Sequence, residues 1–110
     1  MVVKLVWSPQ AEDDVISIYV EIGLHQPLAA ERYYEQFKQK VSLLADQPQL
    51  GQRHPEIAAS ARMLVEAPYV ILYETIPDAD QGPVDIIQIV RVVDGRRDLR
   101  YASELGRIVE

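Results

Sequence analysis

The spacing of apolar positions changes period twice along this chain. Val3, Leu5 and Trp7 alternate with Lys4, the period of two of a half-buried strand, and predict a first strand over Val2–Trp7. The period then lengthens. Ala11, Val15, Ile18, Tyr19 and Ile22 share one face of a helix over Pro9–Ile22. Ala30, Tyr34, Phe37, Val41 and Leu44, spaced 4, 3, 4 and 3 apart, make a narrow seam on a second helix over Leu28–Asp46. Beyond these the pattern shortens again into runs rich in β-branched residues: Ala61–Ala67, Tyr69–Tyr73 and Val84–Val93. All three are too short for globular helices and read as strands. The last is apolar on both faces, with Val84, Ile86, Val90 and Val92 on one and Ile87, Ile89 and Val93 on the other. Such a strand belongs inside a sheet with at least one face covered.

The residues between these segments agree with that reading. Ser8 is a good N-cap, and Pro9 suits the first helical position, where its missing N–H would be unpaired anyway. Glu12, Asp13 and Asp14 then sit where the helix dipole favours negative charge, a capping and solubility role rather than a metal site. Gly23 stops the first helix, Pro27 opens the second, and Asp46-Gln-Pro48 ends it. A short polar connection between such helices predicts an antiparallel helical hairpin. Gln49–Ser60 reads as a loop punctuated by Gly51 and Pro55, and Pro77–Pro83 as a hairpin loop of about seven residues. The order is β-α-α-β-β-β: an α+β fold, an antiparallel sheet with the helical hairpin packed on one face, in a single domain over residues 1–110.

Composition narrows the chemistry. There is no cysteine, so a disulfide framework and a thiolate zinc site are both out of reach. His25 and His54 are the only histidines, and His54 reads as an exposed loop residue, so neither a metal nor a cofactor is expected. No signal peptide or membrane span is predicted, which makes the cytoplasm the default location. The net charge of −6 argues against nucleic-acid binding by the surface as a whole. Arg91, Arg96, Arg97 and Arg100 nevertheless cluster around Asp94 and Asp98, either as a solvated rim or as a cationic recognition patch on an acidic body. Tyr33, beside the seam of the second helix, reads as an edge residue.

The order and its punctuation resemble the ParE/RelE superfamily of bacterial toxins, and the ParE branch in particular. The likeness is carried by Trp7-Ser-Pro-Gln-Ala11, Pro48-Gln-Leu-Gly-Gln-Arg-His-Pro-Glu56, Arg62, Tyr69-Val-Ile-Leu-Tyr73 and Ile89-Val-Arg-Val-Val-Asp-Gly-Arg-Arg-Asp-Leu99. It spans about residues 3 to 100. Two departures bear on chemistry. Asp94 stands where members commonly carry a histidine, and Val70 where an arginine of the RNA-cleaving cluster would be expected. The only lysines, Lys4, Lys38 and Lys40, all precede the second predicted strand. Cleaving RNA through its 2′-hydroxyl needs a base, an acid and a cation at the phosphate, so these departures weaken a nuclease reading.

The resemblance implies a toxin of a type II toxin–antitoxin module that inhibits DNA gyrase without catalysis of its own. It also implies a ParD-like antitoxin whose flexible segment folds across the toxin, in a hetero-oligomer of two of each chain or more. Neither membrane nor sequence-specific nucleic-acid binding is expected. Arg91, Arg96 and Arg97 are the expected target contacts; Tyr19, Tyr33, Tyr34, Arg62, Arg91 and Arg97 are the expected antitoxin contacts. Arg62 is also read as a brace between loop and sheet. Two alternatives stay open: a ribosome-dependent mRNA endoribonuclease of the RelE type, with Asp94, Arg96, Arg97 and Tyr101 as its candidates, and an inactive toxin fold that only binds its antitoxin.

Overall fold

The computed structural model describes residues 2–96. Its elements follow in the order β1 (Lys4–Trp7), α1 (Pro9–Gly23), α2 (Pro27–Asp46), β2 (Gln52–Arg53), β3 (Arg62–Glu66), β4 (Tyr69–Ile76) and β5 (Ile86–Asp94). The strands form one five-stranded sheet in the order β1-β5-β4-β3-β2. α1 and α2 pack on one of its faces, as the apolar pattern predicts. There Ala11, Val15, Phe37, Val41 and Leu44 meet Ile71, Tyr73, Ile87, Ile89 and Val92 in the main core. Burying a large apolar side chain in such a core is worth about 1.5–3 kcal/mol. A smaller core lies across the sheet, where Ile57 and Ala61 pack with Met63, Val70, Leu72 and Val93. No helix of the described residues is long and apolar enough to cross a membrane.

The sheet is mixed rather than antiparallel throughout. β2–β3, β3–β4 and β4–β5 are antiparallel, but β1 runs parallel to β5, with Lys4 opposite Ile86 and Trp7 opposite Ile89. Periodicity cannot register this, because a strand has the same pattern in either direction. The parallel placement delivers the end of β1 to the middle of β5, and α1 starts there. Ser8 donates its N–H to Ile89 O at 2.9 Å and its hydroxyl to Val90 O at 2.7 Å, while the same hydroxyl accepts the N–H of Ala11 at 3.0 Å. One residue thus caps α1 and continues the edge of β5. Asp14 extends the arrangement: its carboxylate accepts the N–H of Val92 at 2.9 Å. Asp14 is therefore bound to the sheet rather than serving the helix dipole.

β5 also departs from strict alternation. Leu72 pairs with Arg91 and Tyr73 with Ile89, so Val90 is an extra residue, a β-bulge. The bulge turns the strand by one position. Ile87, Ile89 and Val92 all reach the helix-side core, and Val93 reaches the smaller one. Uninterrupted alternation predicted Val92 opposite Ile87 and Ile89. The short β2, within the segment expected to be loop, pairs Gln52 with Met63 and Arg53 with Arg62.

The tyrosines of α2 exchange the roles expected of them. Tyr33 turns inward, its ring 5.3 Å from Tyr69 and 6.2 Å from Phe37, whereas Tyr34 is 40% exposed. Tyr33 and Phe37 are four residues apart and so share the sheet-facing side of the helix. The seam runs through Ala30, Phe37, Val41 and Leu44, all buried, without Tyr34.

Candidate functional site

Three side-chain groupings could carry chemistry or recognition, and they lie on different parts of the fold. The first is a clasp at the β4–β5 loop. Tyr73 is fully buried in β4, and its hydroxyl donates to Pro48 O at 2.8 Å while accepting the N–H of Gly51 at 2.8 Å. Gly51 has to be glycine, because a Cβ there would lie 2.7 Å from both Met63 O and the Tyr73 ring. From β3, Arg62 donates to Gly51 O at 2.8 Å, Ala79 O at 3.2 Å and the Asp80 carboxylate at 3.3 Å. Arg53 pairs with Asp80 and, at 2.8 Å, with Asp78. Arg53 holds the Asp80 carboxyl below its usual range, first through their hydrogen bond and then through its charge. The segments 48–53 and 78–82 are thereby tied together, with Gln49 Nε2 donating to Gly82 O at 3.0 Å.

The second grouping is the C-terminal end of β5. Arg91 donates from Nε and Nη2 to the two oxygens of Asp14, at 2.8 and 3.0 Å, a bidentate pair between β5 and α1. Asp94, 5% exposed, accepts the backbone N–H of Arg96 at 2.8 Å and its guanidinium at 3.2–3.3 Å. The bond to Asp94 raises the Arg96 pKa above its already high normal value, so the side chain is a permanent cation. It is 73% exposed. Beside it, burial and then the charge of Asp94 push the Tyr69 phenol upward, so Tyr69 stays protonated at neutral pH. Arg97 and Tyr101 lie outside the described residues.

The third is a groove on the outer side of the helical hairpin. Ile16, Tyr19, Glu31, Tyr34 and Glu35 enclose about 360 Å³, with the Tyr19 and Tyr34 rings edge-to-face at 5.9 Å. It continues into a second space of about 400 Å³, which shares Ile16 and Tyr34 and adds Trp7, Glu12, Val15, Phe37 and Lys38. Ile16 is 59% exposed, unusual for an isoleucine in the middle of a helix.

The residues expected as contacts are thus divided. Tyr19 and Tyr34 stand together at the groove, while Tyr33 belongs to the core. Arg62 is 4% exposed and spends its guanidinium on the clasp, the geometry of the brace also read for it. Arg91 is held by Asp14, and Arg96 points outward from the same strand end. Sequence reasoning missed Arg53 and Asp80; the signal was the pair of acids at Asp78 and Asp80 in a loop facing a lone arginine. It also passed over Ile16, whose place on α1 is offset from the predicted apolar face. Among the described residues no group of three or more His, Asp or Glu could hold a metal ion.

A family model described as the ParE toxin of the type II toxin–antitoxin system parDE matches residues 5–99. A chain of the solved structure "Chromosomal ParDE TA system from P. aeruginosa" has the same fold, with a TM-score of 0.66 and 22% identity. The match covers 84% of this chain and 95% of that one. No curated protein matches the sequence.

Proposed function

The chain belongs to the ParE toxin family of type II toxin–antitoxin systems, and from that premise we propose that it inhibits DNA gyrase in the bacterial cytoplasm without catalysis of its own. A ParD-like antitoxin encoded beside it neutralises it in a hetero-oligomer. The observation that favours a binding role is the state of the β5 end. A general base must be able to take a proton from its substrate, and a phosphate-stabilising cation must reach the phosphate. Asp94 is buried under Arg96, with the guanidinium and a backbone N–H already on its oxygens. Val70 is buried in the smaller core and supplies no cation. What the strand end offers a partner is the outward guanidinium of Arg96, with Arg97 following it. These two are the proposed target contacts. Arg91 serves them by fixing β5 to α1.

Expression of the chain in bacteria separates the readings. Gyrase inhibition produces filamentation and induction of the DNA-damage response while protein synthesis continues. Immediate arrest of translation with cleaved messenger RNA identifies an endoribonuclease instead, and unimpaired growth identifies a fold that only binds its antitoxin. Co-expression with the adjacent open reading frame restores growth, and the two chains co-elute on size exclusion. Separate elution with toxicity unrelieved removes the antitoxin from the proposal.

A further inference from the structure

We propose that the groove between α1 and α2 seats the antitoxin's folding segment, and that this segment is an amphipathic helix with lysine or arginine along both edges of its apolar stripe. The inference rests on the antitoxin reading above and adds the place and the chemistry of the contact. Its walls decide the backbone form of the occupant. They are ridges of two antiparallel helices, with Glu12, Ile16 and Tyr19 on one and Glu31, Tyr34, Glu35 and Lys38 on the other. Helix walls satisfy their own N–H and C=O groups and offer none for strand pairing, so an occupant must satisfy its backbone internally. A helix laid between two helices does this and interdigitates with their ridges.

The lining decides the occupant's side chains. The floor is apolar and aromatic: Ile16 at 59%, Tyr34 at 40% and Tyr19 at 39% exposure are bare enough to gain from being covered. Glu12, Glu31 and Glu35 are exposed on the rim. Lys38 is the single cation of this lining. It is engaged already, 3.7 Å from Glu35 and 5.1 Å above the Tyr34 ring. A helix edged with acids would place like charges along Glu31 and Glu35, whereas a basic-edged helix meets them with opposite charge. The chain's net charge of −6 works in the same direction at longer range.

The test uses the purified toxin and the product of the adjacent open reading frame, with affinity measured by calorimetry. Ile16→Asp puts a charge into the apolar floor and is expected to weaken binding by at least about tenfold. Reversing the rim with Glu31→Lys and Glu35→Lys together is expected to weaken it roughly threefold to tenfold. Wild-type affinity should fall as salt rises from about 0.01 to 0.1 M, over which the Debye length shrinks from about 30 to 10 Å. All three positions are on exposed helix surface, and unchanged melting curves show that the variants fold. If wild type binds and Ile16→Asp binds as tightly, the antitoxin sits elsewhere and the groove is excluded while the antitoxin reading stands. Rim reversal that tightens binding, or affinity that rises with salt, overturns the basic-edged helix. If the wild-type toxin binds no neighbouring product at all, the antitoxin reading fails and this inference with it.

Discussion

Arg62 and Arg96 carry the same guanidinium into opposite situations. Arg62 leaves the edge of β3 and is buried, its donors spread over two backbone carbonyls and a carboxylate that belong to separate loops. Arg96 leaves the end of β5, takes one carboxylate two residues back, and remains 73% exposed. In sequence both are arginines at strand ends beside an acid in space. Burial separates them. The buried one holds chain segments together, and its loss strands polar groups that water cannot reach; the exposed one is a surface charge oriented by its neighbour.

The comparison breaks first on stability. Arg62→Ala leaves Gly51 O and Ala79 O without a donor and is expected to cost about 2–4 kcal/mol in denaturant unfolding. A loss near zero would mean that the clasp is ornamental. Tyr73→Phe removes the hydroxyl bonded to Gly51 and Pro48 and should cost about 1–3 kcal/mol by the same assay. Asp14→Ala releases the N–H of Val92 and the Arg91 guanidinium together, at about 1–2 kcal/mol, with faster hydrogen exchange at Val92 as its signature. At the exposed end, Arg96→Glu with Arg97→Glu should leave the melting curve unchanged while abolishing toxicity in cells; intact toxicity would remove both from the target site.

The smallest effect expected is in acid. Arg53 depresses the Asp80 pKa in the folded state. A depressed carboxyl contributes stability that is present above its unfolded value, about 3.9. That contribution is lost as pH falls through the lower folded value. The wild type should therefore lose stability slightly faster than Asp80→Asn below about pH 4. Parallel curves would show that the pair is screened by solvent, as its exposure allows.

Much of the fold was legible because it depends on period and punctuation. Ser8-Pro9 and Pro27 mark both helix starts, and the run to Val93 places the central strand. What escaped depends on pairing between distant segments. The parallel β1 leaves no trace in its own pattern. The bulge at Val90 shows only against β4, and without it Val92 falls on the wrong face. Tyr33 and Tyr34 are adjacent tyrosines that a helical wheel places about 100° apart, and only the position of Tyr69 decides which turns inward. For the candidate site, the arginine cluster was visible as composition, but its division into Arg91 held by Asp14 and Arg96 facing outward needed coordinates. The groove was half legible: Tyr19 and Tyr34 were singled out, and Ile16 was not.

The account's central claim is that this chain acts by binding gyrase and not by cleaving RNA. The direct measurement is incubation of the purified chain with DNA gyrase, relaxed plasmid and ATP, scoring supercoiling and trapped double-strand breaks, alongside programmed ribosomes scored for messenger RNA cleavage. The account predicts inhibited supercoiling or trapped breaks in proportion to added protein, lost in Arg96→Glu/Arg97→Glu, with messenger RNA intact. Unaffected gyrase together with cleaved messenger RNA would contradict it.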